Sequence, residues 1–587
     1  RNRDVVRVVE QLAGIDLTLA LFVGNHNALG LRPIQQFGRP ELRSRLLPRL
    51  AQGRELASFA LTEPGAGSNP RAIAAKATRD AKGGWRLNGT KLWIGSASWA
   101  GVINVFARIS DASPELSGTA AFAVPQGAQG LRHGPEALTM GMRGMVQNAI
   151  YLNDVFLSDD HQLGESGAGL DIAQDAMMFG RLGLGATAAG GIKRCAQLML
   201  RYAGRRSIST GRLLDNPVTL SRLTSTVAAA DAVGRLVYRT AEFLDQGLRV
   251  PNEVLLVSKI AGTEYLWRAA DDLVQLLGAR GYLENNIAAQ LLRDARVFRI
   301  FEGPTETLQS FLGASVLHGS AELHRFLAET LNAPDVVERL RAAVERIQAN
   351  DADRADSFED RTAMQRWTHY RAGSLACLAI LLAFARAPEE APAARGRRTE
   401  EWLESQFRHE LAGAIEAGQP FPLRPDDLNR VVGGYADSIG DIEQSLPGED
   451  QALDWLLRRE APAPPKQARP LLVAKSPVEP VKPAPNQSAA LVSPDSAPGR
   501  RPTQSDIEKW LRAWLVREAR VPAAMVAANR PFVDFGLDST TAIMLIADLE
   551  DFLGTRFETT LAWDYPTISS LAAFVASRTR SEDRHES

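Results

Sequence analysis

From residue 278 to residue 313 the chain reads GARGYLENNIAAQLLRDARVFRIFEGPTETLQSFLG. A helix is expected to begin near Pro304, whose fixed φ suits a first turn, and Glu302 stands just ahead of it. Taken alone, such a glutamate is a helix-start acid stabilised by the positive end of the helix dipole. The stretch closes a longer block. From Gly169 to His318 the pattern is helical and rich in small residues, broken by RYAGRRSISTG (201–211) and resumed in three further helical stretches, which predicts a bundle over 165–318. Upstream, residues 61–160 read as the β portion: WRLNGTKLWI has an Asn88-Gly89 turn between alternating apolar and polar positions, and VINVFAR, TAAFAVP and NAIYLNDVFL follow as strands. Downstream, residues 319–460 form a second helical block rich in Ala, Leu, Arg and Glu, without a catalytic constellation, and read as a structural extension. Residues 461–502 hold 11 of the 32 prolines, cannot build a ladder or a core, and read as a solvated, semi-stiff linker. A small helical tail occupies 503–578, with a polar end at 579–587.

At 587 residues, and about 150 per domain, the chain has room for roughly three to five domains. Hydrophobic residues at 45% and charged residues at 23% are globular proportions and exclude collagen, coiled coil and wholesale disorder. With 67 Lys and Arg against 69 Asp and Glu, the net charge of -2 supplies no basic field for phosphate backbones, so nucleic acid is not an expected partner. Cys195 and Cys377 cannot build a disulfide framework or a metal cage, which points to a reducing, cytoplasmic setting and no metal site. The longest apolar run, Leu375 to Ala385, is shorter than the roughly 20 residues of a membrane span and reads as a buried helix. The opening RNRDVV lacks both Met and a signal segment, so residue 1 is expected to be an internal point of a longer polypeptide.

Four ordered segments converge: FALTEPGAGSNP (59–70), LNGTKLWIGSASWA (87–100), LTMGMRGMVQNAIYL (138–152) and the stretch quoted first. Together they resemble the acyl-CoA dehydrogenase family, and RIFEG with a helical extension behind it most resembles the very-long-chain branch. The resemblance implies a mainly α fold with a central β barrel domain and a C-terminal four-helix bundle. FAD would lie between the β domain, the bundle and a neighbouring subunit, hence a homodimer. Residues 1–60 would be a remnant of the N-terminal helical region, Asp16 to Gly38 matching its last helices.

A saturated thioester is desaturated by a base that takes the α-hydrogen and a hydride acceptor on the other side of the bond. By resemblance the base is Glu302, and burial beside Ile300 and Phe301 should raise its pKa towards working pH. Some family members place the base before an arginine in the first long bundle helix; here that pair is Gly180 and Arg181, and glycine cannot abstract a proton. The thioester carbonyl would be polarised by the Glu302 amide and a flavin hydroxyl. The resemblance puts Phe59, Leu61 and Thr62 beside the isoalloxazine, Gly67 and Ser68 near the pyrophosphate, and Trp93 over one flavin face. It puts Gln275 and Gly278 against a partner subunit's FAD, with Arg206 near the family's arginine in the bundle break. Three departures stand out: Gly95 where Thr or Ser commonly bonds the flavin, leaving Ser96 as substitute; RSISTG without the family's phenylalanine; and Pro304 after Glu302-Gly303. Gly183-x-Gly185 follows no strand and reads as helix packing, not as a dinucleotide turn.

In the tail, SDIEKWLRAWL, PFVDFGLDSTTAIMLIADLEDFLG and TLAWDYPTISSLAAFVASR resemble an acyl carrier protein of the polyketide-synthase type, in which Ser539 of GLDS would carry 4'-phosphopantetheine after a phosphopantetheinyl transferase acts. The combination implies an FAD-dependent dehydrogenase acting on an acyl chain tethered to its own carrier. It would pass electrons to electron-transferring flavoprotein or oxygen, within a polyketide, nonribosomal peptide or lipopeptide assembly line having an acyl-activating module upstream and further modules downstream. A degenerate scaffold with a working carrier, and a flavin oxidase or monooxygenase, are the competing readings.

Overall fold

The computed structural model describes residues 1–110, 118–352, 361–387, 393–415 and 424–440, and in the C-terminal part 503–517, 526–530, 532–535, 567–581 and scattered positions between them. It divides into two compact units, Arg1–Ala474 and Lys475–Ser587. The linker and Ser539 lie outside the described residues.

The first unit opens with helices α1 (Asn2–Ala13), α2 (Leu17–Asn25), α3 (Arg32–Phe37) and α4 (Pro40–Ala51). Asp16 starts α2 by accepting the Leu19 N–H at 2.8 Å, an N-cap made by sequence. Eight strands follow: β1 (Ala57–Ala60), β2 (Lys76–Arg79), β3 (Trp85–Gly95), β4 (Val102–Ile109), β5 (Thr119–Pro125), β6 (Leu131–Glu136), β7 (Gln147–Leu157) and β8 (Gln162–Leu163). They form one mixed sheet in the order β6-β7-β3-β2-β4-β5-β8, with β1 parallel to β4. The sheet therefore takes in Ala57–Ala60, ahead of the expected start at 61. Asn88-Gly89 is not a hairpin turn. It lies inside the continuous strand β3, where the register against β7 shifts between Leu87 and Gly89. Asn88 Oδ1 accepts the Asp154 N–H at 2.8 Å, and a Cβ on Gly89, at φ 149°, would stand 2.6 Å from the Ala75 Cβ. The turn-forming pair instead faces a bulge in β7 and permits a close strand approach.

The bundle is built from α5 (Gly169–Arg205), α6 (Pro217–Asp245), α7 (Asn252–Leu277), α8 (Ile287–Phe298) and α9 (Thr305–Leu317). Four helices, not three, follow the break, which holds a two-residue antiparallel pairing of Ser207–Ile208 with Gly211–Arg212. Asn216 and Asn286 cap α6 and α8 through their side-chain oxygens. Beyond them come α10 (Ala321–Arg325), α11 (Pro334–Ala352), α12 (Arg361–Arg386), α13 (Ala393–Ile415), α14 (Pro425–Gly433) and α15 (Ala436–Ile439). α12 carries the apolar run. By length and composition alone it could cross a membrane, but 78% of its apolar window is buried inside this unit, as in a core helix. It crosses α9 with the two backbones in contact: a Cβ on Gly313 would stand 1.7 Å from the His369 carbonyl oxygen, and one on Gly373 1.8 Å from that of Gln309.

In the second unit α16 (Gln504–Arg517) and α17 (Ile568–Ser581) enclose a core of Ile507, Leu511, Trp514, Leu515, Leu571 and Val575. Trp514 can be fully buried because its indole N–H donates to Asp548 Oδ2 at 2.6 Å.

Candidate active site

Residues 299–304 join α8 to α9, and they are held by two of the three long helices of the bundle. From α5, Arg181 Nη2 donates to the Glu302 carbonyl at 3.2 Å. From α7, Lys259 Nζ donates to the Gly303 carbonyl at 2.6 Å and to the Arg299 carbonyl at 3.4 Å. Glu302 is left at φ 52°, a left-handed conformation costly for a residue with a side chain, and Gly303 follows at φ 97°. Pro304 caps α9 at φ -55°, a position where its missing N–H costs no helical hydrogen bond, so this departure from the family pattern is benign to the helix.

The unusual backbone turns the Glu302 side chain inward over α5. A Cβ on Gly180 would stand 2.7 Å from one carboxylate oxygen and 2.9 Å from the other. Gly180 therefore does more than forgo the alternative base: it leaves the volume that the Glu302 carboxylate fills. Part of the residue reaches the surface, but both carboxylate oxygens are out of solvent and neither has a hydrogen-bond partner. Burial pushes the Glu302 carboxyl up to about 7, with the Arg181 and Lys259 charges pulling against it. The expected direction holds, but its source differs. Ile300 is 51% exposed, so it does not supply the burial; the carboxylate lies against Gly180 of α5. Among the described residues the Glu302 backbone N–H donates to no protein group, as a polarising donor requires.

The residues that the resemblance assigns to the isoalloxazine gather in the β domain. Phe59 packs on Phe106 with ring centroids 4.8 Å apart. Past β1 the chain runs beside β3: Leu92 N–H donates to the Thr62 carbonyl at 3.0 Å, and Lys91 Nζ to the Leu61 carbonyl at 3.2 Å. Trp93, at φ 54° within the register shift between Lys91 and Ile94, is turned out of the ladder and 52% exposed. Ser96, at φ 58°, is buried and donates its N–H to the Val146 carbonyl at 2.7 Å. Ser58 Oγ donates to the Gly95 carbonyl at 2.6 Å, and a Cβ on Gly95 would approach Met145 Cε to 3.3 Å, so Met145 occupies the space a Thr or Ser would use. This brings Phe59, Leu61, Thr62, Trp93 and Ser96 into one wall.

Gly65 and Gly67 have ordinary φ and nothing within 4 Å of where a Cβ would sit, so neither backbone nor packing requires glycine there. A bare, exposed turn of this kind, with Ser68 beside it, fits the close approach of a ligand pyrophosphate. Gly278 differs, because its φ of 59° at the end of α7 demands glycine whatever binds. Gln275 and Gly278 lie on the exposed surface beside Tyr282, which is 86% exposed, and Arg206 is exposed at the end of α5. None of the described hydrogen bonds joins these three to the β-domain wall.

The motif reading missed a buried ion pair within its own segments. Glu63 and Lys91 meet at 2.7 Å, both nearly inaccessible; Glu63 also accepts the Ala74 and Ala75 N–H groups, and Lys91 donates to the Phe106 carbonyl. This pair pins the glycine-rich turn to β3. A buried carboxylate and a buried ammonium 28 positions apart, inside segments already singled out, were the available signal.

Residues 2–54, 58–155 and 167–317 match the N-terminal, middle and C-terminal domains of acyl-CoA dehydrogenase, and residues 509–575 match the phosphopantetheine attachment site family. The chain is 31% identical over 317 residues to the very long-chain specific mitochondrial acyl-CoA dehydrogenase of Macaca fascicularis, covering 53% of this chain and 48% of that one. It is 31% identical over 293 residues to the human short-chain specific mitochondrial enzyme, covering 50% and 70%. A solved acyl-CoA dehydrogenase complexed with FAD from Bacillus anthracis shares the fold, with a TM-score of 0.58 at 22% identity over 74% of this chain and 86% of that one. The chain belongs to the acyl-CoA dehydrogenase family. Its second unit is a fused phosphopantetheine-binding carrier domain, and the whole spans about half the length of the very-long-chain relatives it matches.

Proposed function

We propose that this protein is an FAD-dependent dehydrogenase that introduces an α,β double bond into an acyl thioester carried on the phosphopantetheine arm of its own carrier domain. The observation that carries the reading is the Glu302 carboxylate, buried, without a partner and brought to about 7, which is where a general base for working pH belongs. FAD, when bound, supplies the acceptor for the hydride that leaves Cβ. The chain's own residues do the rest: Glu302 takes the α-proton, its backbone N–H faces the thioester oxygen, Arg181 and Lys259 hold the turn, and Phe59, Leu61, Thr62 and Trp93 wall the flavin. Gly67 and Ser68 leave room for the pyrophosphate. Gln275 and Gly278, with exposed Tyr282 and Leu283 alongside, are the surface offered to a second subunit, and the working unit is a homodimer.

Ser539 receives the pantetheine arm from a phosphopantetheinyl transferase. The 42 residues of 461–502 reach about 30–40 Å as a flexible chain, and proline extends this, so tethering supplies a local concentration on the order of millimolar. This arrangement suits a polyketide, nonribosomal peptide or lipopeptide assembly line in a reducing cytoplasm, with an acyl-activating module before it and electron-transferring flavoprotein or oxygen as acceptor. The test is to load a saturated acyl group on Ser539 and follow the intact mass and the visible flavin spectrum together, without air. Bleaching with loss of two mass units is expected, and neither should occur in Ser539→Ala; a loaded protein holding oxidised flavin and an unchanged mass rejects the dehydrogenase reading.

A further inference from the structure

Lys259 lies two turns into α7 with no accessible surface. Its ammonium touches two carbonyl oxygens, Gly303 and Arg299, and among the described residues no carboxylate lies within ion-pair distance; Glu302 accepts nothing from it. A buried ammonium paired only to neutral acceptors is unfavourable, and an apolar side chain of similar length would fill the site at less cost. We infer that Lys259 is the positioning residue of the candidate base, fixing the left-handed Glu302 turn through the carbonyls on either side of it and keeping the carboxylate ionised by the nearness of its charge.

Two helices divide the work. Arg181 from α5 holds the carbonyl of Glu302 itself, and Lys259 from α7 holds that of the next residue together with the frayed end of α8. Without the second anchor, the strain of two successive positive φ values would relax and swing the carboxylate out of the volume over Gly180. The charged groups around Lys259 are Glu302, Arg181 of α5, Glu264 of α7 itself and Glu306 of α9, and Glu264 is already taken by Arg299 at 2.6 Å. Burial brings Lys259 down to about 8, so it is still charged at neutral pH, where Glu302 titrates. The inference rests on the reading of Glu302 as the base.

The experiment uses the full FAD-loaded chain and measures flavin reduction by butyryl- and palmitoyl-pantetheine across pH, in the parent and in Lys259→Gln, Lys259→Arg and Glu302→Gln. Lys259→Gln keeps a donor for the turn and removes the charge. It should retain FAD, lose about fivefold in rate at neutral pH, and move the acid limb of the profile up by about one pH unit, while Lys259→Arg returns the limb towards the parent. A role in packing alone would lower melting temperature or flavin content without moving the limb. An unmoved limb in folded Lys259→Gln, with Glu302→Gln inactive, overturns the role of Lys259 and leaves the base in place. If the Gln variant does not fold, an Arg variant whose limb is displaced upwards by a full unit also overturns it, and one with the parent's limb supports it. Undiminished reduction in Glu302→Gln removes the base reading and this inference together.

Discussion

Two of the carboxylates buried in the first unit stand under opposite terms. Glu63, in the β domain, accepts from an ammonium and two backbone N–H groups. Glu302, in the bundle, accepts from none, although Arg181 and Lys259 lie close enough for their charges to act on it. The two cations near Glu302 are turned onto backbone carbonyls, whereas Lys91 is turned onto its acid. A buried charge whose bonds are complete holds a structure, and one whose bonds are left open is available for chemistry.

The contrast can be broken by exchanging the same atoms at both places. Glu302→Gln should keep FAD and lose flavin reduction by about 100-fold to 10,000-fold, measured as the rate of bleaching by a saturated acyl thioester. Gly180→Ala, which puts a methyl group inside contact distance of the same carboxylate, should cost on the order of 100-fold with the melting temperature little changed, since a misplacement near 1 Å is enough. Glu63→Gln should do the reverse. Lys91 is left buried without its counter-charge, so denaturant unfolding should show a loss of about 3–5 kcal/mol, while the rate per bound flavin stays within a few-fold of the parent.

The smallest effect is in the dependence of stability on pH. The Glu302 carboxyl goes from an ordinary 4.5 when unfolded to about 7 when folded. Between those values the folded chain holds a proton that the unfolded chain has released, so this group's contribution to stability is complete below 4.5 and falls as pH rises through about 7. Unfolding curves of parent and Glu302→Gln should therefore diverge over that window, the variant gaining up to about 3 kcal/mol relative to the parent. The activity of the parent should rise across the same window, because the base works only when ionised. Parallel curves would mean that Glu302 is not titrating there.

Glu302 was legible through the resemblance that RIFEGPTET carries, since a carboxylate before a helix is by itself an ordinary helix-start acid. The motifs also singled out Phe59, Leu61, Thr62 and Trp93, which the structure gathers on or beside two strands that run together. What escaped was anything that depends on which distant segments meet. Ile300 is apolar, and the reading buried Glu302 beside it; the structure exposes Ile300 and buries the carboxylate against a glycine more than a hundred positions away. Asn88-Gly89 carries the chemistry of a hairpin turn, but the same freedom at φ 149° serves a close approach to Ala75 inside a long strand. The join of α9 to the extension also depends on two distant glycines.

That join has a consequence for inheritance. α9, which begins directly after the Glu302 turn, and α12, in the block that looked like an appendage, touch backbone to backbone at Gly313 and Gly373. Neither position admits even a methyl group. A lineage that altered one would have to reshape the other, and a recombination joint at 318, natural as it looks from the order of the helices, would leave a furrow in α9 with nothing to fill it. The portion that holds Glu302 and the portion that seems only to follow it are thus packed as one body, which a cut at 318 would open.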